Sequence, residues 1–313
     1  MARIVITEIM DAPAVAQLQA AHDVLYDPNL VDDPARLLAL APEADALVVR
    51  NRTQVRGELL AALGRCRVIG RLGVGLDNID VPGCEARGMA VIPATGANAL
   101  SVAEYVITAT MMLLRGAFAS TPDVIAGHWP RNALGARGRE TAGKTLGIIG
   151  FGSIGQLTGR LARGLGMNVI AFDAMIDDDA PVFQDSGVKA TGLHDLILQS
   201  DVVTLHVPLV DGTRGLFDAQ RIASMKPGAI LINTSRGPIL DVPAVAAALR
   251  SGHLGGAAID VFDVEPLPAT PALAGCPHLL LTPHISGVSS ESNERVSTMI
   301  AARVLEALRC WPA

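Results

Sequence analysis

Short apolar runs alternate with amphipathic stretches along almost the whole chain, and the runs are built from Val, Ile, Leu and Ala. In the first hundred residues the strand-like runs are 3–7, 46–50, 67–69 and 89–92, with helical patterns such as 34–40 and 57–63 between them. Ser101-Val102-Ala103-Glu104 has the form of a capping box and opens a long apolar helix that runs to about Arg115. Residues 116–143 are less regular. From Lys144 the strands resume at 145–149, 168–172, 202–207, 229–232, 256–260 and 279–282, and an amphipathic helix over about 290–308 closes the pattern. This alternation predicts an α/β fold: two Rossmann-like doubly wound parallel-sheet domains with an active-site cleft between them. The break near residue 100 and the return near 286 make the first domain discontinuous (1–99 plus 286–313), with the second over 100–285. No internal repeat, low-complexity tract or long linker interrupts the chain.

Composition narrows the function. At 313 residues, half of them hydrophobic, the chain holds enough apolar surface for two cores. A net charge of −6 argues against a general nucleic-acid surface. No apolar run approaches membrane-spanning length, and MARIVITEIM opens a strand rather than a signal peptide, so a cytoplasmic protein is expected. Cys66, Cys84, Cys276 and Cys310 are scattered, without metal-ligand spacing; they read as reduced packing residues, and no metal is expected.

The strongest local signal is TLGIIGFGSIG at 145–155. Gly150 permits a tight strand-to-helix turn, Gly152 lets backbone approach a pyrophosphate, and Gly155 lets the helix pack on its strand. The helix start at Ser153 and Ile154 offers N–H groups to phosphates. Asp173 ends the next strand, 18 residues after Gly155, where a carboxylate bonds ribose hydroxyls. No Lys or Arg follows it closely, and Asp177, Asp178 and Asp179 would repel a 2′-phosphate, so NAD is expected over NADP. Those three read otherwise as a solvated loop.

Three further segments each end a predicted strand: Asn233-Thr234-Ser235-Arg236-Gly237, Asp260 to Pro266, and Thr282-Pro283-His284-Ile285-Ser286-Gly287. Ligands bind at the carboxyl ends of strands in an open parallel sheet, so Arg236, Glu265 and His284 are placed to converge on a nicotinamide. The residue types suit reduction of a 2-keto acid. A His delivers a proton near neutral pH. A carboxylate beside it favours the charged form. An Arg fork fits a carboxylate and polarises the adjacent carbonyl. Taken singly, each residue reads as easily as a surface cation, a turn acid or a backbone-bonded His; their order after a dinucleotide loop joins them.

With Arg71-Leu72-Gly73-Val74-Gly75-Leu76-Asp77-Asn78-Ile79-Asp80 added, the chain resembles the D-isomer-specific 2-hydroxyacid dehydrogenase family over nearly its whole length, nearest the phosphoglycerate-dehydrogenase-like branch. The resemblance implies that 1–99 plus 286–313 bind substrate and that 100–285 bind NAD. It implies that Arg236 takes the substrate carboxylate and carbonyl, Glu265 tunes the histidine and His284 is the acid/base. Substrate contacts are then expected from Asn51, Arg52, Arg71, Gly73, Val74, Gly75 and Asn98, with the amides of Val74 and Gly75 on the carboxylate. Cofactor contacts are expected from the glycine loop, Asp173, His206, Val207, Pro208, Thr213, Thr234, Ser235, Asp260, Ser286 and Gly287. His206 ends a strand and is read as a cofactor contact, not the acid/base. The family also implies a homodimer, with an arm at about 116–143 on the partner and Trp129 packing there.

Substrate choice is less legible. Arg50, Arg52 and Arg71 lie in or beside loops expected to face the cleft, and Arg131, Arg137 and Arg139 lie in the arm. Such cations suit a second anion on the substrate, although several read equally as surface ion pairs. VVRNRTQV, RLGVGLDNID and HISGVSSESNERVS resemble a subgroup that includes (S)-sulfolactate dehydrogenase, and the run after His284 departs from the Gly-Ala-Ser/Thr of phosphoglycerate dehydrogenases. The S label of sulfolactate describes the same spatial arrangement as D in lactate, because sulfur raises the priority of the C3 arm. The chain ends soon after its last helix, so a C-terminal regulatory domain is not expected. Glyoxylate/hydroxypyruvate reduction, and an NAD(H)-sensing corepressor-like binding role, stay open as alternatives.

Overall fold

A computed structural model describes residues 1–116 and 120–310. The chain divides into two compact units, Met1–Asn98 with Val288–Ala313, and Ala99–Gly287. In chain order the first unit contains β1 (Arg3–Ile6), α1 (Ala12–Gln19), β2 (Asp23–Tyr26), α2 (Pro34–Leu40), β3 (Ala46–Val49), α3 (Gly57–Ala62), β4 (Val68–Arg71), α4 (Val81–Glu85) and β5 (Ala90–Pro93). The second begins with α5 (Ala99–Arg115), α6 (Thr121–Ile125) and α7 (Arg131–Arg137). It continues through β6 (Thr145–Ile149), α8 (Ser153–Gly164), β7 (Asn168–Phe172), α9 (Pro181–Ser186), β8 (Lys189–Ala190), α10 (Leu193–Gln199) and β9 (Val202–Leu205). It ends with α11 (Ala219–Ser224), β10 (Ala229–Asn233), α12 (Val242–Arg250), β11 (Leu254–Ile259) and β12 (Leu279–Leu281), and α13 (Ser290–Arg309) returns the chain to the first unit.

Both sheets are parallel. The first has order β2-β1-β3-β4-β5 and the second β12-β11-β10-β9-β6-β7-β8. In the first sheet the order reverses between β1 and β3, and in the second between β6 and β9; these are the points where open α/β sheets receive ligands. The near-continuous apolar strands follow from burial on both faces. Along β1, Ile4 and Ile6 enter one core with Val48, Ile300 and Val304, while Val5 enters the other with Leu47, Val49 and Ile69. Gly70 in β4 has no room for a side chain, since a Cβ would lie 2.9 Å from both Ile300 and Val304, so its absence lets α13 pack on the sheet.

The start of the long helix differs from its expectation. Helix α5 starts at Ala99, so Ser101 lies inside it rather than at its cap; nothing in Asn98-Ala99-Leu100 stops the helix from extending backwards. Freed from capping, the Ser101 hydroxyl donates to the Ser286 carbonyl at 3.1 Å. In the expected arm, of which 117–119 lie outside the described residues, α6 and α7 bury no residue, and Trp129 is 77 % exposed. The cysteines are all free, but only Cys66 and Cys84 are buried; Cys310 is exposed and is not a packing residue. Among the described residues no cluster suits a metal, and no helix is long and apolar enough to cross a membrane.

Candidate active site

The loops at the carboxyl end of the second sheet carry the chemistry. After β6, Gly150 has φ +94°, and a Cβ there would fall 2.6 Å from the His206 carbonyl oxygen, so the turn is glycine by necessity. Gly155 would place a Cβ 2.3 Å from the Gly150 oxygen. Gly152 differs: its backbone is ordinary and a Cβ would meet nothing within 4 Å. Nothing among the described residues demands glycine at 152, and that backbone is open to the close approach of a group such as a pyrophosphate. No side chain caps α8, which leaves its first amides for an anion. Asp173 is held by the Phe151 amide at 2.7 Å and the Met175 amide at 2.9 Å. The Thr234 hydroxyl is buried without a hydrogen-bond partner among the described residues. These features fit a dinucleotide. Gly152→Ala is therefore expected to leave the thermal midpoint within about 2 °C while raising KM for NAD about tenfold or more. A fall in stability with KM unchanged would make Gly152 a folding glycine only.

Three side chains are brought together at the ends of β10, β11 and β12. Glu265 Oε2 accepts from His284 Nδ1 at 2.7 Å, and its Oε1 accepts from the Phe262 amide at 2.9 Å. Burial works against the charged Glu265, yet the bonds from His284 and Phe262 and the charges of His284 and Arg236 hold it below the ordinary carboxylate value. Nδ1 is thus committed to Glu265, leaving Nε2 to exchange a proton. His284 has φ +56°, a left-handed conformation rare for such a residue. Asp260 fixes it: this fully buried carboxylate accepts from the Thr282 hydroxyl at 2.6 Å and from the amides of Ile285 and Ser286, both at 2.8 Å. Tyr105 adds a 2.5 Å bond to the Thr282 hydroxyl. Asp260, expected as a cofactor contact, holds the backbone beyond His284.

Arg236 follows β10. Its guanidinium donates to the Ser235 carbonyl at 2.6 Å, and its own carbonyl accepts from Asn233 Nδ2 at 2.9 Å. Ser235 donates from its hydroxyl to the Leu205 carbonyl, tying this loop to β9. Thr213 likewise bonds inside its own loop, donating to the Pro208 carbonyl at 2.6 Å.

His206 sits behind the glycine loop with Nε2 3.1 Å from the Thr204 hydroxyl, and burial pushes its imidazole down to about 3. Unfolded chain takes up this proton below about pH 6.5 and the folded protein does not, so this residue's contribution to stability is present above that pH and drains away as the pH falls towards 3. Its ring resonances should stay fixed in an NMR titration between about pH 5 and 8; a midpoint near 6.5 would return it to the acid–base candidates.

In the first unit, the segment after β3 is caged. Glu8, after β1, accepts from the amides of Arg50, Arg52 and Thr53 at 2.9, 3.1 and 3.0 Å. Asn78 Nδ2 donates to the carbonyls of Arg50 and Thr53 at 3.2 and 2.7 Å. Asn51 and Arg52 are exposed, and Arg52 forms an ion pair with Asp32. That hydrogen bond raises the Arg52 guanidinium, whereas burial lowers that of Arg50, partly offset by the Glu8 charge. Arg50 also donates to Asn293 Oδ1 at 2.7 Å. Arg71, expected to reach substrate, is buried with its guanidinium over Gly73, where a Cβ would overlap it. The amides of Val74 and Gly75 donate to no backbone carbonyl among the described residues, and the Asn98 side-chain oxygen is buried without a partner there. Sequence reasoning missed Glu8 and Asn78; the only available signal was that Glu8 lies just past the first strand.

A family model described as D-isomer specific 2-hydroxyacid dehydrogenase, NAD binding domain, matches residues 107–286. The chain is 52% identical over 308 residues to an (S)-sulfolactate dehydrogenase of Chromohalobacter salexigens, covering 98% of this chain and 99% of that one. It is 38% identical over 281 residues to a D-3-phosphoglycerate dehydrogenase of Mycobacterium leprae, covering 89% of this chain and 52% of that relative, so it spans about half of that protein's length. The crystal structure of the TT0316 protein from Thermus thermophilus matches with a TM-score of 0.86 at 29% identity, covering 98% of this chain and 97% of that one.

Proposed function

This chain belongs to the D-isomer specific 2-hydroxyacid dehydrogenase family, and on that premise we propose that its substrate is a three-carbon 2-hydroxy acid with a second anion at C3, 3-sulfolactate ahead of 3-phosphoglycerate. The chain is an NAD-dependent oxidoreductase acting on the CH–OH group of a 2-hydroxy acid. The observation that carries the substrate reading is the caged Arg50–Asn51–Arg52 segment at the reversal point of the first sheet, which carries two guanidiniums, that of Arg50 on Asn293 and that of the exposed Arg52 on Asp32. Similarity to a sulfolactate dehydrogenase over nearly the full chain supports sulfonate over phosphate.

In this reading each residue has one task. Gly152 and the start of α8 hold the pyrophosphate, and Asp173 holds the ribose. NAD held there would supply a hydride acceptor for C2 in oxidation, and NADH a hydride donor in reduction. His284 Nε2 removes the hydroxyl proton in oxidation and gives it back in reduction, while Glu265 keeps the ring oriented. Arg236 grips the carboxylate and polarises the C2 oxygen. The amides of Val74 and Gly75 take the same carboxylate, and Arg50 and Arg52 take the C3 anion. The exposed Val124, Ile125 and Trp129 support a homodimer joined through this arm, and free, unbridged cysteines support a cytoplasmic location. Mass in solution by light scattering tests the dimer.

The deciding experiment is an NAD-linked screen of sulfolactate, 3-phosphoglycerate, glycerate, lactate and malate in both enantiomers, with glyoxylate and hydroxypyruvate for reduction. Preference for a D-configured dianion upholds the reading and ranks sulfonate against phosphate. Preference for glyoxylate or hydroxypyruvate makes the arginines structural and removes the second-anion assignment.

A further inference from the structure

We propose that Glu8 is a positioning residue for the second-anion subsite, acting with Asn78 to fix the backbone of residues 50–53 that carries Arg50 and Arg52, whose guanidiniums rest on Asn293 and Asp32. The proposal rests on the dianion reading above.

The order β2-β1-β3-β4-β5 puts the ends of β1 and β3 side by side where the sheet reverses. Glu8 comes from one end and the 50–53 segment from the other. Glu8 is 5 % exposed, and a carboxylate removed from water is a costly acceptor unless its bonds are made. Its two oxygens take three backbone amides from four consecutive residues. Asn78, also 5 % exposed, takes the carbonyls at the two ends of the same segment. The Thr7 and Thr53 hydroxyls bond at 2.8 Å and close the base. A surface loop that only connects elements satisfies such groups with its own turn or with water; here side chains distant in sequence hold both the donors and the acceptors.

The clamp also has a sign. With these amides turned inward onto Glu8, they are closed to an incoming anion, and the segment is left to act through its side chains. The Glu8 charge favours the charged form of the half-buried Arg50, opposing what burial does to it. Glu8 therefore positions the segment without touching the ligand.

The test is Glu8→Gln, which keeps the size of the side chain but removes its charge and sets an NH2 group against a backbone N–H. The readout is the ratio of kcat/KM for 3-sulfolactate to kcat/KM for D-glycerate, which has the same carbon skeleton and an uncharged C3. The ratio is expected to fall about tenfold or more, carried by KM for sulfolactate rather than by kcat. Glu8→Asp, which keeps the charge but reaches fewer amides, should fall between wild type and Glu8→Gln. A ratio unchanged in Glu8→Gln, or both substrates falling together, overturns the proposal and leaves Glu8 a staple of the fold. A wild-type enzyme without preference for sulfolactate over glycerate overturns the substrate reading itself, before any variant is made, and the clamp's anion role with it. Should Glu8→Gln fail to fold by circular dichroism, Asn78→Ser loosens the same segment from its carbonyl side and is held to the same ratio.

Discussion

Replacing His284 with Asn is expected to lower kcat about a thousandfold in both directions, near 4 kcal/mol, while NADH still binds. Asn is the informative choice because residue 284 has φ +56°. Asn tolerates the left-handed region, whereas Ala there would add strain and confuse a chemical loss with a folding one. The Asp260 bonds to the amides of Ile285 and Ser286 do not involve the imidazole, so the turn should persist. NADH fluorescence titration then separates cofactor binding from turnover. Glu265→Gln should cost less, since the imidazole remains and only its orientation is loosened. The carboxylate holds Nδ1 and so aims Nε2, and an amide there keeps only one of the two possible bonding senses. A His284→Asn enzyme within about tenfold of wild type would move the proton transfer elsewhere.

The parts of this fold that could be read from the sequence are those whose signal is local. Strands β6 and β7 fall at the expected residues because each is an apolar run stopped by a glycine or an acid. Strand β2 was not legible: it is an edge strand, Asp-Val-Leu-Tyr, whose two ends are exposed, so it lacks both the continuous run and the alternation. Strand β8 is two residues long at the opposite edge of its own sheet. The capping box at Ser101 misled because the residues before it can also be helical, and backbone hydrogen bonds outweigh one hydroxyl. The site divides in the same way. Arg236, Glu265 and His284 announce themselves by chemistry and by their place after strands. The duties of Glu8 and Asp260 do not, because they are bonds to amides far along the chain: Arg50, Arg52 and Thr53 lie 42, 44 and 45 residues from Glu8, and Ile285 and Ser286 lie 25 and 26 from Asp260. Nor does sequence reveal that Arg52 meets Asp32 across 20 residues. A carboxylate in a motif reads equally as ligand contact or brace until the backbone it holds is known.

Arg236→Lys is expected to lower kcat/KM for the hydroxy acid by on the order of 100- to 1000-fold, about 3–4 kcal/mol, with KM for NAD little changed. The backbone cannot shift to help a shorter, unforked side chain. The Arg236 carbonyl is held by Asn233 at 2.9 Å, and the next residue, Gly237, lies so close to β11's outgoing loop that a Cβ would fall 2.0 Å from the Phe262 carbonyl carbon. A lysine there keeps the positive charge that helps hold Glu265 ionised. What it loses is the planar pair of donors that can grip a carboxylate and reach the C2 oxygen together. The charge-preserving variant therefore isolates geometry: its loss should appear mainly in KM for the acid, with a smaller fall in kcat from weaker polarisation of the carbonyl. Arg236→Gln removes the charge as well and should fall further, and only this variant should also disturb the pH dependence set by Glu265. If Arg236→Lys stayed within about fivefold of wild type, a point charge would suffice at this position, and the fork would have no part in holding the substrate.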